Sequence, residues 1–281
     1  MAESNPTSAA VWVDDFINTS ATSIALTPQV TLSNYPYSNL LNPLRSKRVR
    51  TSNTDAGGSS YTYHDFSFDL GSAKSPDCFA LVDASISASQ TVYLQGYDDS
   101  ALTTGLVEWQ VTSYAQSSLH NVLRYYLGSP DTGTLGGGKQ YWRVRFAIGA
   151  TSASGYAEVG QVMLGTHTAL TISPPDESVL DGSRVQETDG GAAYVDIMPR
   201  STELSIEAEL LTRADYYTLT RALADHGRRQ ALIDIHAHSS DSTLRPYSAR
   251  YGLISGRNIL RGRLDSVTQN SFSFDFRETR G

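Results

Sequence analysis

Residues 141–146 read Tyr141-Trp142-Arg143-Val144-Arg145-Phe146. In an extended chain alternate side chains point to opposite faces, so Trp142, Val144 and Phe146 share one face and Arg143 and Arg145 the other. That is the pattern of a half-buried antiparallel strand. The same period of two recurs in Phe66-Ser67-Phe68-Asp69-Leu70, in Thr91-Val92-Tyr93-Leu94-Gln95 and from Ala157 to Leu164. Turn-rich spacers such as Asp55-Ala56-Gly57-Gly58 and Thr134-Leu135-Gly136-Gly137-Gly138 separate these segments, and no helical period competes with them. Short alternating strands punctuated by turns predict a β-sandwich over roughly the first 170 residues.

The pattern breaks at Ser173-Pro174-Pro175-Asp176, because two prolines stiffen the chain and cannot sit in a central strand. A chain of 281 residues carries a prior of about two domains. The predicted division is therefore 1–172 and 173–281. In the second unit, 193–197 and 203–211 read as strands, with Leu204, Ile206, Ala208 and Leu210 alternating against Glu203, Ser205, Glu207 and Glu209. A helix is predicted over 212–226. Thr212 can cap it, Asp215 stands three residues later, Tyr216, Leu219 and Leu223 follow at helical spacing, and Gly227 is a natural stop. Residues 230–238, 248–255 and 271–277 complete the unit as strands. The expected fold is mainly β, a sandwich followed by a second β-sandwich with one packed helix.

Composition excludes several classes. The net charge is −7 with 18% charged residues, which argues against a phosphate backbone as partner. No stretch approaches the ~18 apolar residues of a membrane span, and the N-terminus shows neither a basic nor an apolar leader region. One cysteine, Cys78, allows no internal disulfide; it reads as a small core residue at a strand start. Arginine outnumbers lysine 19 to 3, a bias that suits interface ion pairs because guanidinium is weakly hydrated and binds bidentately. The one basic cluster, Arg45 to Arg50, is expected to pair with acidic groups of the protein's own loops or of a partner.

Catalytic patterns are weak. On a strand, Asp234, His236 and His238 would project together and could ligate zinc or iron, but they read first as the polar face of an amphipathic strand with Ile233 and Ile235 turned inward. No nucleophile-elbow turn surrounds a serine. Gly136-Gly137-Gly138-Lys139 lacks the spacing of a phosphate loop and precedes a strand. No enzyme activity, cofactor or resident metal is expected. Saccharide binding needs aromatic faces beside Asp, Asn or Arg. Tyr97-Asp98-Asp99 and Trp109 are the candidates of that type, with Tyr35, Tyr37 and Tyr114 alongside.

The runs Phe66-Ser67-Phe68-Asp69-Leu70-Gly71-Ser72, Cys78-Phe79-Ala80-Leu81-Val82 and Thr91 to Asp99 resemble a galactose-binding-like (discoidin-type) jelly roll. The segment from Tyr141 to Gly165 is similar to the closing strands of such domains in bacteriophage structural proteins. More loosely, Arg200 to Ala208, the 212–226 helix and Ala231 to Ile235 resemble the tail-tube-like β-sandwich of siphophage distal tail proteins. These resemblances imply a non-catalytic virion protein, made in the host cytoplasm and placed at the tail tip. It would form a homo-oligomeric ring, hexameric or trimeric, that joins the tail tube protein to hub and baseplate proteins. Arg257, Arg261 and Arg263 are candidates for the subunit interface, and the outward jelly roll could hold a host saccharide. The family puts its ring domain first, whereas here the jelly roll leads. A stand-alone carbohydrate-binding protein is the alternative.

Overall fold

The computed structural model describes residues 9–17, 21, 23–25, 34–41, 47–51, 63–86, 88, 90–114, 121–128, 137–147, 157–180, 184–187, 193–196, 201–214, 216–217, 230–237, 243–255, 261–264 and 270–278. The chain is mainly β, and the pairings between its strands are antiparallel. In chain order the strands are β1 (Ala9–Asp15), β2 (Ser23–Ala25), β3 (Val49–Arg50), β4 (Tyr63–Lys74), β5 (Cys78–Val82), β6 (Thr91–Tyr97) and β7 (Val107–Thr112). There follow β8 (Val122–Tyr126), β9 (Lys139–Ala147), β10 (Glu158–Val159), β11 (Gln161–Ile172), β12 (Asp176–Leu180) and β13 (Arg184–Glu187). The last six are β14 (Ala193–Asp196), β15 (Ser201–Leu211), β16 (Gln230–Asp234), β17 (Ala249–Ser255), β18 (Arg261–Leu264) and β19 (Asn270–Glu278). No helix among the described residues is long and apolar enough to cross a membrane.

Strands β4, β9, β6 and β7, with β2 at one edge, form a five-stranded sheet. Its inward residues are those the alternation selects: Phe66 and Phe68, Trp142, Val144 and Phe146, Leu94, and Trp109 with Val111. They pack on Phe79, Leu81, Leu123, Tyr125, Val162 and Leu164 from β5, β8 and the first half of β11. Trp109 and Trp142 stack 5.8 Å apart at 11°, and Phe66 meets Phe146 edge-on at 5.4 Å. The sandwich expected over the first part of the chain is therefore present.

The second half of β11 leaves this sandwich and enters a closed barrel. Around the barrel, β1 pairs with β16, β16 with β17, β17 with β19, β19 with β15, β15 with β11, and β11 with β1. Closure leaves these six strands no free edge within the ring. The interior is filled by Val11, Leu204, Ile206, Ile233, Phe274 and Phe276 among others. The alternation of Leu204, Ile206 and Ala208 with glutamates and serine has its cause here, since only one face of β15 looks into the barrel. Two of the barrel's strands, β1 and the end of β11, come from before the predicted boundary at 172. Pro174 and Pro175 lie in the short break between β11 and β12, both of which pair along β15.

Sandwich and barrel share a tight wall. β5 and β8 are buried on both faces. Phe79 and Leu81 fill the sandwich, whereas Cys78, Ala80 and Val82 turn the other way onto Leu232, Ala249 and Tyr251. Small side chains on that face let the barrel strands approach closely.

Two sequence expectations change, both on β16. The strand predicted over 230–238 ends at Asp234 and gives way to a turn at 235–237. Asp234, expected on an outward face, is fully buried, because the wall formed with β8 covers the second side of β16. Of the helix predicted over 212–226, the described residues show its opening turn, where the Tyr216 amide donates to the Thr212 carbonyl at 2.9 Å; the rest lies outside the described residues. In the basic cluster, Arg48 binds Glu158 at 2.9 Å and Arg50 also contacts that carboxylate, so these charges serve the protein's own β3–β10 ribbon.

Candidate functional site

The five-stranded sheet has a second face, turned away from the core. Alternation places Tyr63, Asp65, Ser67 and Asp69 of β4 there, with Tyr141, Arg143 and Arg145 of β9 and Tyr93, Gln95 and Tyr97 of β6. Register aligns them into rows. Asp65 lies opposite Arg145, which lies opposite Tyr93, and Asp69 lies opposite Tyr141, which lies opposite Tyr97. The middle row runs Ser67, Arg143, Gln95 and Glu108. Four tyrosines and two arginines thus share one sheet face, on which Tyr63 is exposed, Tyr93, Tyr141, Arg143 and Arg145 are half-buried, and Asp65, Gln95 and Tyr97 are buried.

The charges on it are fixed by one another. Arg145 grips Asp65 with both ends of its guanidinium, Nε to Oδ1 at 2.8 Å and Nη2 to Oδ2 at 2.7 Å. A bidentate pair of this kind orients the planar cation. Arg145 also lies 4.8 Å from the centre of the Tyr63 ring, which is 40% exposed. Hydrogen bonding to Asp65 raises the Arg145 pKa further. Arg143 donates from Nε to Gln95 Oε1 at 2.7 Å and from Nη2 to the Tyr97 hydroxyl, and it lies 5.1 Å over the Tyr97 ring. The Tyr97 hydroxyl in turn donates to Gln95 Oε1 at 3.2 Å. Burial raises the Tyr97 phenol, with the nearby arginines opposing it. The network therefore holds the Tyr97 phenol, the two guanidinium groups and the Gln95 amide in place by itself.

At one end of the face lies the loop after β6. Asp98 accepts an ion pair from Lys139 Nζ at 2.8 Å. Asp99 accepts hydrogen bonds from the Thr103 hydroxyl at 2.7 Å and from the Thr104 amide at 2.7 Å, and these hold its carboxyl well below the usual carboxylate range. The loop closes over Gly105, whose φ of +66° and close approach to Asp98 exclude a side chain.

The structure thus brings Tyr97 and Asp98 together with Arg143 and Lys139, and gives Asp99 to the folding of its own loop. Trp109 is 6% exposed and turned into the core, where its ring covers Trp142. Tyr114 is packed against the core and accepts a hydrogen bond from the Arg124 amide at 2.9 Å; burial pushes its phenol up to about 12. Tyr35 lies 4.4 Å from the Arg50 guanidinium, and Tyr37 is half exposed. Arg143, Arg145 and Asp65 were not among the sequence candidates, although the Arg-Val-Arg alternation on β9 already puts both arginines on one face.

The other candidates separate. Asp234 Oδ2 is held by Arg124 Nε at 2.6 Å and by the Tyr126 hydroxyl at 2.9 Å, so its charge is already matched. His236 stands in the turn after β16, where its amide donates to Asp234 Oδ1 at 3.1 Å. His238 and Arg257 lie outside the described residues. Arg261 and Arg263 belong to β18, which among the described residues pairs with β19 and flanks the barrel.

No family model matches the chain, and no curated protein matches it. Among solved structures, it is similar to the family 32 carbohydrate-binding module of NanJ from C. perfringens, seen with galactose. Identity is 11% and the TM-score 0.39, over 57% of this chain and 99% of that one. A fucose-binding module of Streptococcus pneumoniae, SpX-3, matches at 13% identity and TM-score 0.37, over 54% and 96%. Chitosan-binding module 1 of the chitosanase/glucanase from Paenibacillus sp. IK-5 matches at 14% and 0.37, over 54% and 98%. A likeness of this size carries no information on what this chain binds.

Proposed function

We propose that this protein is a non-catalytic saccharide-binding protein whose ligand lies on the outward face of the five-stranded sheet. The observation that carries the proposal is the tyrosine–arginine surface itself. Tyr63, Tyr93 and Tyr141 lie on that face beside the half-buried Arg143 and Arg145, which hydrogen bonds to the buried Asp65, Gln95 and Tyr97 set in place. Sugar rings offer apolar C–H faces that pack on aromatic rings, and hydroxyls that exchange hydrogen bonds with planar amide, guanidinium and carboxylate groups. Because the polar groups are already ordered by one another, little side-chain freedom is lost on binding.

A glycan array followed by titration calorimetry tests this. Retention of one class of glycan is expected, with affinity lowered about tenfold, or ~1.4 kcal/mol, in Tyr63→Ala and Tyr141→Ala. The loop variant Asp98→Ala should lose less. Failure of every glycan to bind, or binding that neither tyrosine variant weakens, would overturn the reading.

A second reading is favoured by a separate feature. The barrel carries flanking strands, β12 on β15 and β18 on β19, and β12 ends the ten-stranded path with Val179 61% exposed. An edge that no described strand covers, with an exposed apolar side chain, suits strand addition by a neighbouring copy. Together with the resemblance to siphophage distal tail proteins, this supports a tail-tip component of the virion. In it, residues 173–281, with β1 completing the barrel, would form the hexameric or trimeric ring between tail tube and hub. The sandwich of residues 1–172 would project towards a host saccharide, and Arg257, Arg261 and Arg263 would serve the subunit contact. Head-to-tail contacts that close give such a ring. Negative-stain microscopy is the test: rings support this reading, and a monomer at high concentration opposes it.

A further inference from the structure

At the root of the sandwich, where β11 passes into the barrel, three side chains of different chemistry converge. Asp77 immediately precedes β5, Cys78 begins it, and His167 comes from β11. One ligand atom from each lies within 4.8 Å of the others, and this is the group of that kind among the described residues. We propose that Asp77, Cys78 and His167 form a zinc site that staples the start of β5 to β11.

The geometry supports the donor set. His167 Nδ1 and Asp77 Oδ1 are 2.9 Å apart. In a tetrahedral zinc site, bonds of about 2.0–2.3 Å put neighbouring ligand atoms roughly 3.3–3.6 Å apart. The nitrogen and oxygen are thus already closer than a shared zinc requires, and the sulfur must close by about an ångström or less. The backbone beneath is fixed. The Asp77 amide donates to the Gly165 carbonyl at 2.9 Å, its carbonyl accepts from the Leu127 amide at 2.8 Å, and the His167 amide donates to Asp77 Oδ1 at 3.0 Å. The Tyr126 ring stands edge-on to the imidazole at 4.9 Å and forms one wall.

Access and selectivity follow from burial and ligand type. Cys78 is sealed, whereas the His167 and Asp77 side chains are 14% and 33% exposed, so an ion can enter from their side and keep water in the fourth position. One sulfur, one imidazole and one carboxylate make a borderline-soft set that suits zinc over calcium or magnesium, which take oxygen ligands. The ion replaces the thiol proton, which leaves to solvent.

The test uses the full chain, stripped with a chelator under a thiol reductant and then loaded with Zn²⁺ or Co²⁺. About one equivalent of zinc should survive desalting, and the cobalt form should show a thiolate-to-cobalt charge-transfer band in the near ultraviolet. Zinc should also raise the melting temperature, since it binds the folded state alone. The band should vanish in Cys78→Ala and in His167→Gln. The His167 variant, at a partly buried position, keeps the test alive if the fully buried Cys78 variant does not fold. His236→Ala, at the other histidine cluster, should leave the band unchanged. A folded wild type without a cobalt–thiolate band, an equivalent of zinc that survives His167→Gln, or loss of zinc in His236→Ala would each overturn the proposal.

Discussion

Arg124 of β8 places its Nε 2.6 Å from Asp234 Oδ2 of β16, and the two side chains are only 1% and 0% exposed. This ion pair crosses the wall between the sandwich and the barrel and joins two strands more than a hundred residues apart in sequence. The Tyr126 hydroxyl adds a donor to the same oxygen at 2.9 Å, and the Arg124 guanidinium lies 5.2 Å from the Tyr126 ring.

Breaking this pair from one side should be costly. Asp234→Ala leaves a buried guanidinium without its counter-charge, a change that costs about 3–5 kcal/mol. Replacing both partners, as in Arg124→Met with Asp234→Leu, should recover most of the loss, because each charge gave up its hydration to enter the wall. Urea unfolding of the two single variants and the double variant measures the coupling. A loss in the double variant equal to the sum of the two single losses would show that the pair does not act as a unit.

The phenols around this pair set the alkaline limit. Burial raises Tyr126 strongly, with Asp234 adding to it, and raises Tyr114 to about 12, against an ordinary value of 10.0. A folded-state pKa above the unfolded one means that stability is intact below the unfolded value and is lost as pH climbs towards the folded one. Stability should therefore hold through pH 9 and fall from about pH 10 upward. In Tyr126→Phe that fall should be shallower, at the expense of a hydrogen bond to a charged group, about 1.5–3 kcal/mol at neutral pH. Melting temperatures recorded across the alkaline range would show whether the slopes differ.

The sandwich was legible because its strands are half-buried, and Trp142, Val144 and Phe146 against Arg143 and Arg145 announce which side is which. The wall was not. Asp234 sits in an alternating strand and reads as solvent-facing, yet the strand is covered on both sides, and the covering strand β8 lies about a hundred residues away. Local periodicity carries no record of a second layer that arrives from elsewhere in the chain. The barrel was hidden for a related reason: β1, seven residues at the N-terminal end of the sandwich, closes a ring whose other members are distant. On the candidate face, Tyr97 was chosen together with the turn residues Asp98 and Asp99, yet it ends β6 and packs under Arg143 of β9. The Trp109 ring went to the core by the same alternation that put Glu108 outside.

A milder pH effect belongs to the β3–β10 ribbon. Glu158 is partly desolvated, which raises its pKa, but hydrogen bonds from Arg48 and Arg50 outweigh this and hold it below its ordinary value of 4.5. A depressed folded-state pKa contributes stability above the unfolded value and loses it as pH falls through the folded one. Acidification below about pH 4.5 should therefore loosen this ribbon. Hydrogen exchange at the Thr51 amide, bound to the Ala157 carbonyl at 3.0 Å, reports it locally. Glu158→Gln should raise that exchange rate at pH 7 and remove its acid dependence; a rate unchanged by the variant would mean that the ion pairs add nothing to the ribbon.

The tightest point of the barrel is where β17 meets β19. Gly252 pairs with Glu278, and a Cβ placed on Gly252 would stand 2.2 Å from the Arg277 carbonyl oxygen and 2.7 Å from the Glu278 Cα. Both obstacles are backbone, so no side-chain rotation relieves them. Gly252→Ala must push the two strands apart at a pair that closes the ring, and the displacement propagates to Ile254 and Phe276, which lie opposite each other in the interior. A cost of about 1–3 kcal/mol or more follows from overpacking a filled interior. By contrast, Gly137→Ala, with nothing within 4 Å of its Cβ, should change stability by less than about 0.5 kcal/mol. Comparing the urea midpoints of the two variants tests the closed barrel directly: equal midpoints would mean that β17 and β19 do not meet as the pairing requires.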